Sequence, residues 1–463
     1  MFGVTPGQQP AIGERSGEAF ASAIGSLAPG GMALATGPSG AGKSTTLRVA
    51  GDHLDGRGWR VIHARPARGD RSPIELVGRG GDIDHSLGML GAAGLSEAPL
   101  LIRPARMLSE GERARLALAE AMARAERAAG AGAMRICIAC DEFCSTLDRL
   151  TAMGVGSTLH RWMRTRGRAL GVVAICATAH EDMTRLLSPD MIAGFQSPGR
   201  MVVREHHGRR PRGPRIDIDE GSIADFDALA HLHYRGGRPG TWQRVLSAMH
   251  PASGALAGVL VVSPPTRRGR WRSRAWPGRY AAIDRAGLAR LNREVRCITR
   301  VIVGPRFRGL GVARRLVRAY LDNPLTPATE AVSAMAAACP FFERAGMRPY
   351  RLPPGPADQR LADALEAARL EPCDLMRDGV GADDGFLRRE LERWWSARRG
   401  TMAAALIRNV EEDHTGACLQ RIAAWRLSDR SMAFAHAERV IGRHDEKGAH
   451  RRRAGAEAGY AGG

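Results

Sequence analysis

The sequence predicts an α/β domain, then an α+β domain, then a small helical C-terminal tail, and three stretches carry that prediction. Thr36-Gly-Pro-Ser-Gly-Ala-Gly-Lys43-Ser44-Thr45 follows the apolar run Met32 to Ala35 and opens a helical pattern, Thr45 to Ala50. A second glycine-bearing turn, Gly304-Pro-Arg306-Phe-Arg308-Gly309-Leu-Gly311, stands between an apolar run and an amphipathic helical pattern. Between the two, Arg204 to Arg215 reads REHHGRRPRGPR, a basic Pro/Gly-rich stretch that suits no regular element and marks a junction. The expected division is a first domain at 1–205, a basic linker at 206–215, a second domain at 216–352, and a charged, alanine-rich helical region at 353–463 with a disordered end after Arg451.

The first turn has the spacing of a phosphate-binding loop. Gly37, Gly40 and Gly42 allow backbone conformations that side chains forbid, so the N–H groups from Gly37 through Ser39 to Thr45 can converge on a phosphate at the positive end of a helix. Lys43 supplies a point charge, and Ser44 a hydroxyl where Mg²⁺ sits between β- and γ-phosphates. Of 68 basic residues only Lys43 and Lys447 are lysine. A compact ammonium fits such a loop and a planar guanidinium does not, which gives Lys43 a chemical reason.

Composition sets outer bounds. A chain of 463 residues holds two or three domains, and 44% hydrophobic with 25% charged residues is ordinary for a globular protein. No run approaches the roughly 18 apolar residues that span a bilayer, and the N-terminal stretch lacks the pattern of a signal peptide, so the expectation is a cytoplasmic protein without a membrane partner. The eight cysteines lie mostly in apolar runs and make no disulfide framework; Cys137, Cys140 and Cys144 have no second Cys/His pair at ligand spacing. A formal charge of +20 favours a polyanionic partner, DNA or RNA, although the arginine-rich composition alone can account for part of it.

Along the first half, Trp59 to His63 reads as a short strand. Leu108-Ser109-Glu110-Gly111-Glu112 then opens a helix, another anion-binding N-terminus. Arg135 to Cys140 is a buried-strand pattern ending in Asp141-Glu142; Ser145 to Asp148 makes a turn; and Gly171 to Ala179 is a last apolar run ending in His180. In this order GPSGAGKS, LSEGE, ICIACDE, STLD and TAHED resemble the five motifs of the ABC-type ATPases, in their non-transport branch, over about residues 15–205. The resemblance implies ATP and Mg²⁺ as ligands, with Gly37, Ser39, Gly40, Gly42, Lys43, Ser44 and Thr45 on the phosphates. It places the metal at Ser44 and Asp141, the water-orienting carboxylate at Glu142 and a γ-phosphate sensor at His180. It further implies a head-to-tail homodimer in which Ser109 and Gly111 meet the partner's ATP. Two positions depart from the pattern: Ser72-Pro-Ile-Glu75 stands where a glutamine loop is usual, and Glu112 replaces a glutamine.

In the second half, Asp225 to His233 and Thr241 to Met249 have helical spacing, Ala255 to Val262 reads as a buried strand, and Val295 to Val303 as another. The Gly304–Gly311 turn then precedes a helix, Val312 to Leu321, and Pro340-Phe-Phe-Glu-Arg-Ala-Gly-Met347 closes the region. These two segments resemble the acetyl-CoA loop and the closing segment of the GNAT acetyltransferases over about 215–352. The resemblance implies that Arg306, Arg308, Gly309, Gly311 and Val312 hold the acetyl-CoA pyrophosphate, in a splay between two central strands of a mixed sheet. Phe341 and Phe342 occupy the place of the usual tyrosine acid; Glu294 is the candidate carboxylate base if one is needed, the alternative being a solvated strand-end glutamate, which the sequence favours. Arg267 to Tyr280 interleaves arginines with Trp271, Trp276 and Tyr280, a composition that suits phosphate pairing and base stacking, or a basic loop with its aromatics tucked inward.

Three readings remain open from the sequence: an ATP-dependent acetyltransferase acting on nucleic acid, an ATP-regulated acetyltransferase of proteins or small molecules, and an ATP-driven DNA clamp with a non-catalytic GNAT-like domain.

Overall fold

The computed structural model describes residues 10–437, apart from 79–82, 96–97, 198–199, 208–212, 234–236, 268, 281–283, 334–338, 377–379, 381–384, 398–414 and 429–430. The first sheet contains β1 (Met32–Thr36), β2 (Arg60–His63), β3 (Ile136–Cys140), β4 (Val172–Thr178), β5 (Met191–Ser197) and β6 (Arg200–Glu205) in the order β2-β3-β4-β1-β5-β6. β1 to β5 are parallel and β6 returns antiparallel to β5. Both faces are covered, which is why β3 and β4 read as unbroken apolar runs rather than alternating ones. Ala33, Ala35, Cys137 and Val173 face Phe20 and Ile24 of the helix Pro10–Gly25 and Leu47 and Leu54 of the helix Lys43–Gly56. The alternate residues Met32, Leu34, Ile138 and Ala174 face Leu116 of the helix Glu110–Gly130 and Leu159 of the helix Arg149–Trp162.

The second sheet is mixed. It holds β7 (Asp217–Glu220), β8 (Arg244–His250), β9 (Ala255–Ser263), β10 (Val295–Val303), β11 (Ala328–Ser333), β12 (Arg348–Arg351) and β13 (Met432–Ala437) in the order β12-β13-β11-β10-β9-β8-β7. β10 and β11 pair in parallel only from Val295/Ala328 to Ile298/Ala331, after which β10 continues to Val303 against β9 alone. That loss of pairing is the splay expected between the two central strands.

Two sequence expectations change here. Thr241 to Met249, read as helical, is mostly strand: Val245, Leu246, Ser247 and Ala248 are all buried between β7 and β9, and sheet burial outweighs a weak 3.6-residue pattern. The region after 352, expected to be a helical appendage, also supplies β13, which pairs with β11 and β12 at the same time. Its helices Pro356–Ala367, Gly385–Ser396 and Thr415–Ser428 place Leu361, Leu391, Trp394 and Ile422 in the core that covers the first sheet. The stretch after Arg451 and residues 208–212 of the basic linker lie outside the described residues.

Candidate functional site

The phosphate loop connects β1 to the helix Lys43–Gly56. Gly40 and Gly42 have φ of 77° and 91°, in the left-handed region, and a Cβ on either would meet nothing within 4 Å. The loop mouth is therefore open. Lys43 is 6% exposed, and its Nζ donates to the carbonyl oxygens of Gly37 at 2.9 Å and Pro38 at 2.7 Å. An ammonium held across the mouth by carbonyl dipoles is placed to donate to phosphate oxygens in their stead. Ser44 Oγ donates to Asp141 Oδ1 at 3.0 Å. A hydroxyl and a carboxylate joined this way present a hard oxygen pair, and they fit Mg²⁺.

β4 lies between β1 and β3, so the carboxyl ends of three adjacent strands deliver the loop, His180 and the Asp141-Glu142 pair to one edge of the sheet. Glu142 is exposed and takes φ of 47°, uncommon for a residue with a side chain; the turn is held by Phe143 N–H donating to Ala177 O at 2.7 Å. His180 Nε2 lies 3.0 Å from Ser145 O, so the ring donates from Nε2 and is tied to the turn after the acidic pair. That turn ends in Asp148, the N-cap of Arg149–Trp162, which accepts from the Leu150 and Thr151 amides at 3.1 and 3.3 Å.

Ser109 caps the helix Glu110–Gly130. Its amide donates to Glu112 Oε2 at 2.8 Å while its Oγ accepts from Glu112 N–H at 3.4 Å, which explains glutamate at this position as half of a capping box. Gly111 faces Thr151, and a Cβ there would lie 3.5 Å from Thr151 Cγ2. Glu75, the residue expected to stand in for the missing glutamine, is buried. It accepts from Ser72 Oγ at 2.5 Å and from Arg421 Nη2 at 2.7 Å, so it anchors the tail rather than facing the phosphate loop.

The second turn docks on the first domain. Arg306 Nε reaches Asp148 Oδ1 at 3.0 Å, Arg115 Nη2 donates to Pro305 O at 3.1 Å, and Arg161 Nη2 donates to Gly309 O at 2.8 Å. Partial burial would raise the Asp148 carboxyl, but hydrogen bonds from Thr151 and Arg306 hold it below the usual range. Gly309 and Gly311 both have left-handed φ, 78° and 79°, with different surroundings. A Cβ on Gly309 would fall 2.9 Å from Thr158 Oγ1, whereas one on Gly311 meets nothing within 4 Å. Of the residues expected on the acetyl-CoA pyrophosphate, Arg306, Arg308 and Gly309 thus touch or border the first domain. Gly311 and buried Val312 stand at the open N-terminus of the helix Val312–Asp322. No sequence pattern signals this docking, because its partners lie some 150 residues apart.

Glu294, expected at the start of a strand, is instead the last residue of the helix Arg285–Glu294, one position before β10, where its carboxylate accepts from Arg279 Nε at 3.0 Å and Tyr280 O–H at 3.1 Å. The Arg/Trp stretch is corrected outright as a stacking surface. Trp271, Trp276 and Tyr280 are buried in one cluster with Leu291, Val295 and Ala433. Arg272, 1% exposed, makes two 2.7 Å bonds to the buried carboxylate of Glu330. The tucked-in alternative is the one observed.

These features make a largely parallel α/β domain with a phosphate-loop turn, resembling the ABC-type ATPases in its motifs, joined to a mixed-sheet domain that resembles the GNAT acetyltransferases. The acetyltransferase (GNAT) domain family matches residues 280–352. Among solved structures, the chain is similar to the ADP conformation of MJ1267, an ATP-binding cassette of an ABC transporter. Identity is 16% and the TM-score 0.30, over 39% of this chain and 82% of that one. It is also similar to the dimeric MJ0796, a bacterial ABC transporter cassette, at 18% and 0.29, over 40% of this chain and 88% of that one. No curated protein matches the sequence. Among the described residues no helix is long and apolar enough to cross a membrane.

Proposed function

We propose that the chain binds and hydrolyses ATP in a head-to-tail homodimer and transfers an acetyl group from acetyl-CoA to an amine, with nucleic acid as the acceptor. The observation that carries the first part is the convergence of Lys43, the Ser44–Asp141 pair, Glu142 and His180 at one strand edge. Mg²⁺ held by Ser44 and Asp141 supplies charge neutralisation on the phosphates. With ATP bound, Glu142 would orient the attacking water, and His180, fixed to Ser145, would sense the terminal phosphate. On the acyl side, the first-turn amides of Val312–Asp322 and the open Gly311 suit a pyrophosphate, and the β10–β11 splay suits the pantetheine arm. The acceptor is argued from the charge of +20.

Burial of the three aromatics favours a second acceptor, a protein or small-molecule amine, because base stacking has lost its platform. Incubating the full chain with labelled acetyl-CoA, ATP and either polynucleotide or protein distinguishes the two by where label appears. Glu142→Gln should bind ATP and accumulate as a dimer with hydrolysis down at least a hundredfold; hydrolysis at the wild-type rate refutes the assignment.

A further inference from the structure

The turn that follows the acidic pair is strained, and bonds from both domains hold it. Glu142 and Cys144 take left-handed backbone conformations, φ 47° and 58°, which a residue with a side chain keeps only where its surroundings impose them. Within the first domain the turn is tied to the end of β4 and the residues after it. Phe143 N–H donates to Ala177 O at 2.7 Å, Arg149 Nη1 to Asp182 Oδ1 at 3.2 Å, and His180 Nε2 to Ser145 O at 3.0 Å. The Ser145 hydroxyl adds nothing, being buried without a hydrogen-bond partner among the described residues.

The remaining brace comes from the second domain. Arg306 Nε donates to Asp148 Oδ1 at 3.0 Å, while Asp148 keeps its bonds to the Leu150 and Thr151 amides and to Thr151 Oγ1. Arg306 is not swinging from a loose loop. Its turn is seated on the first domain by Arg161 Nη2 on Gly309 O and Arg115 Nη2 on Pro305 O, and Arg308 O lies so near Gly154 that a Cβ there would fall 2.5 Å from it. A continuous path therefore runs from the second domain through Arg306, Asp148 and the Ser145 carbonyl to the ring of His180.

We propose that Arg306 is a positioning residue for ATP hydrolysis: seated on Asp148, it steadies the 145–148 turn, and the Ser145 carbonyl in turn fixes the ring of His180. The first domain then hydrolyses ATP at full rate only while the second is docked. This rests on the hydrolysis proposed above.

The test is steady-state hydrolysis of ATP by the full chain. Arg306→Gln should lower kcat roughly threefold to fivefold, the range an exposed ion pair can transmit, with KM changed by less than about twofold. Arg306→Lys should restore most of the rate, because the bond uses a single charged donor. Asp148→Asn keeps the helix cap and should give the same loss, the double variant losing no more than either. In a His180→Ala background, Arg306→Gln should cost nothing further. Hydrogen exchange should rise at 145–149 in Arg306→Gln and stay unchanged across the phosphate loop, 37–45. A kcat that is unchanged or raised, a loss confined to KM, or the same fractional loss without His180 overturns the inference and leaves the ATPase reading standing. Absence of any hydrolysis that Glu142→Gln abolishes overturns that reading, and the inference with it.

Discussion

Gly309 and Gly311 look equivalent in the sequence and are not equivalent in the fold, which makes a paired substitution informative. Alanine at either position is forced into a left-handed conformation costing about 1–2 kcal/mol. At Gly311 that is the whole cost, since the added Cβ enters open space. At Gly309 the Cβ would also stand 2.9 Å from Thr158 Oγ1 and 3.1 Å from Gly154 O. A short branched side chain and a helix backbone yield little, so overpacking adds about 1–3 kcal/mol. The opposite side is equally tight, a Cβ on Gly154 falling 2.5 Å from Arg308 O. Gly309→Ala is therefore expected to loosen the docking of the two domains and to alter basal ATP hydrolysis, whereas Gly311→Ala should raise the KM for acetyl-CoA and leave hydrolysis alone. Thermal unfolding of the full chain, steady-state hydrolysis and acetyl-CoA titration read the three quantities. Equal destabilisation by the two substitutions, or unchanged hydrolysis in Gly309→Ala, refutes the argument that the turn is an interdomain element.

Two further outcomes are expected. Arg272→Ala strands the buried Glu330 carboxylate and should destabilise the second domain by about 3–5 kcal/mol in chemical unfolding, while exposed Arg267→Ala and Arg270→Ala should not; equal effects would remove the buried pair from the argument. Asp148 has a folded-state pKa below its ordinary 3.8, so the bond to Arg306 stabilises docking above that value and is lost as pH falls through the folded one. Hydrogen exchange in 305–311 should rise at low pH, and Asp148→Asn should flatten that rise.

The phosphate loop, the acidic strand end and the strand–turn–helix at 295–321 were legible because each is local: glycines at left-handed positions and an apolar run next to a helix start state their geometry within a dozen residues. Arg272 was misread for the opposite reason. Nothing near it shows that Glu330, 58 positions later on β11, will meet it in the core, so an arginine amid tryptophans looked like a surface. Glu294 likewise looked free until Arg279 and Tyr280 claimed its carboxylate. The docking of the second turn was invisible, since Arg306 carries the same spacing whether it faces a cofactor or Asp148.

The position of β13 bears on how the chain is made. β11 and β12 end at Ser333 and Arg351, but the strand that joins them begins at Met432. During synthesis the second sheet must wait with a slot one strand wide, its backbone donors and acceptors on both rims unsatisfied and open to foreign strands. The same late segment carries Arg421 into its bond with Glu75 of the first domain. Completion of the second sheet and anchoring of the tail on the first domain thus both depend on the segment 415–437. A nascent chain halted before 421 leaves a receptive edge on one domain and, on the other, a buried Glu75 carboxylate answered by Ser72 alone.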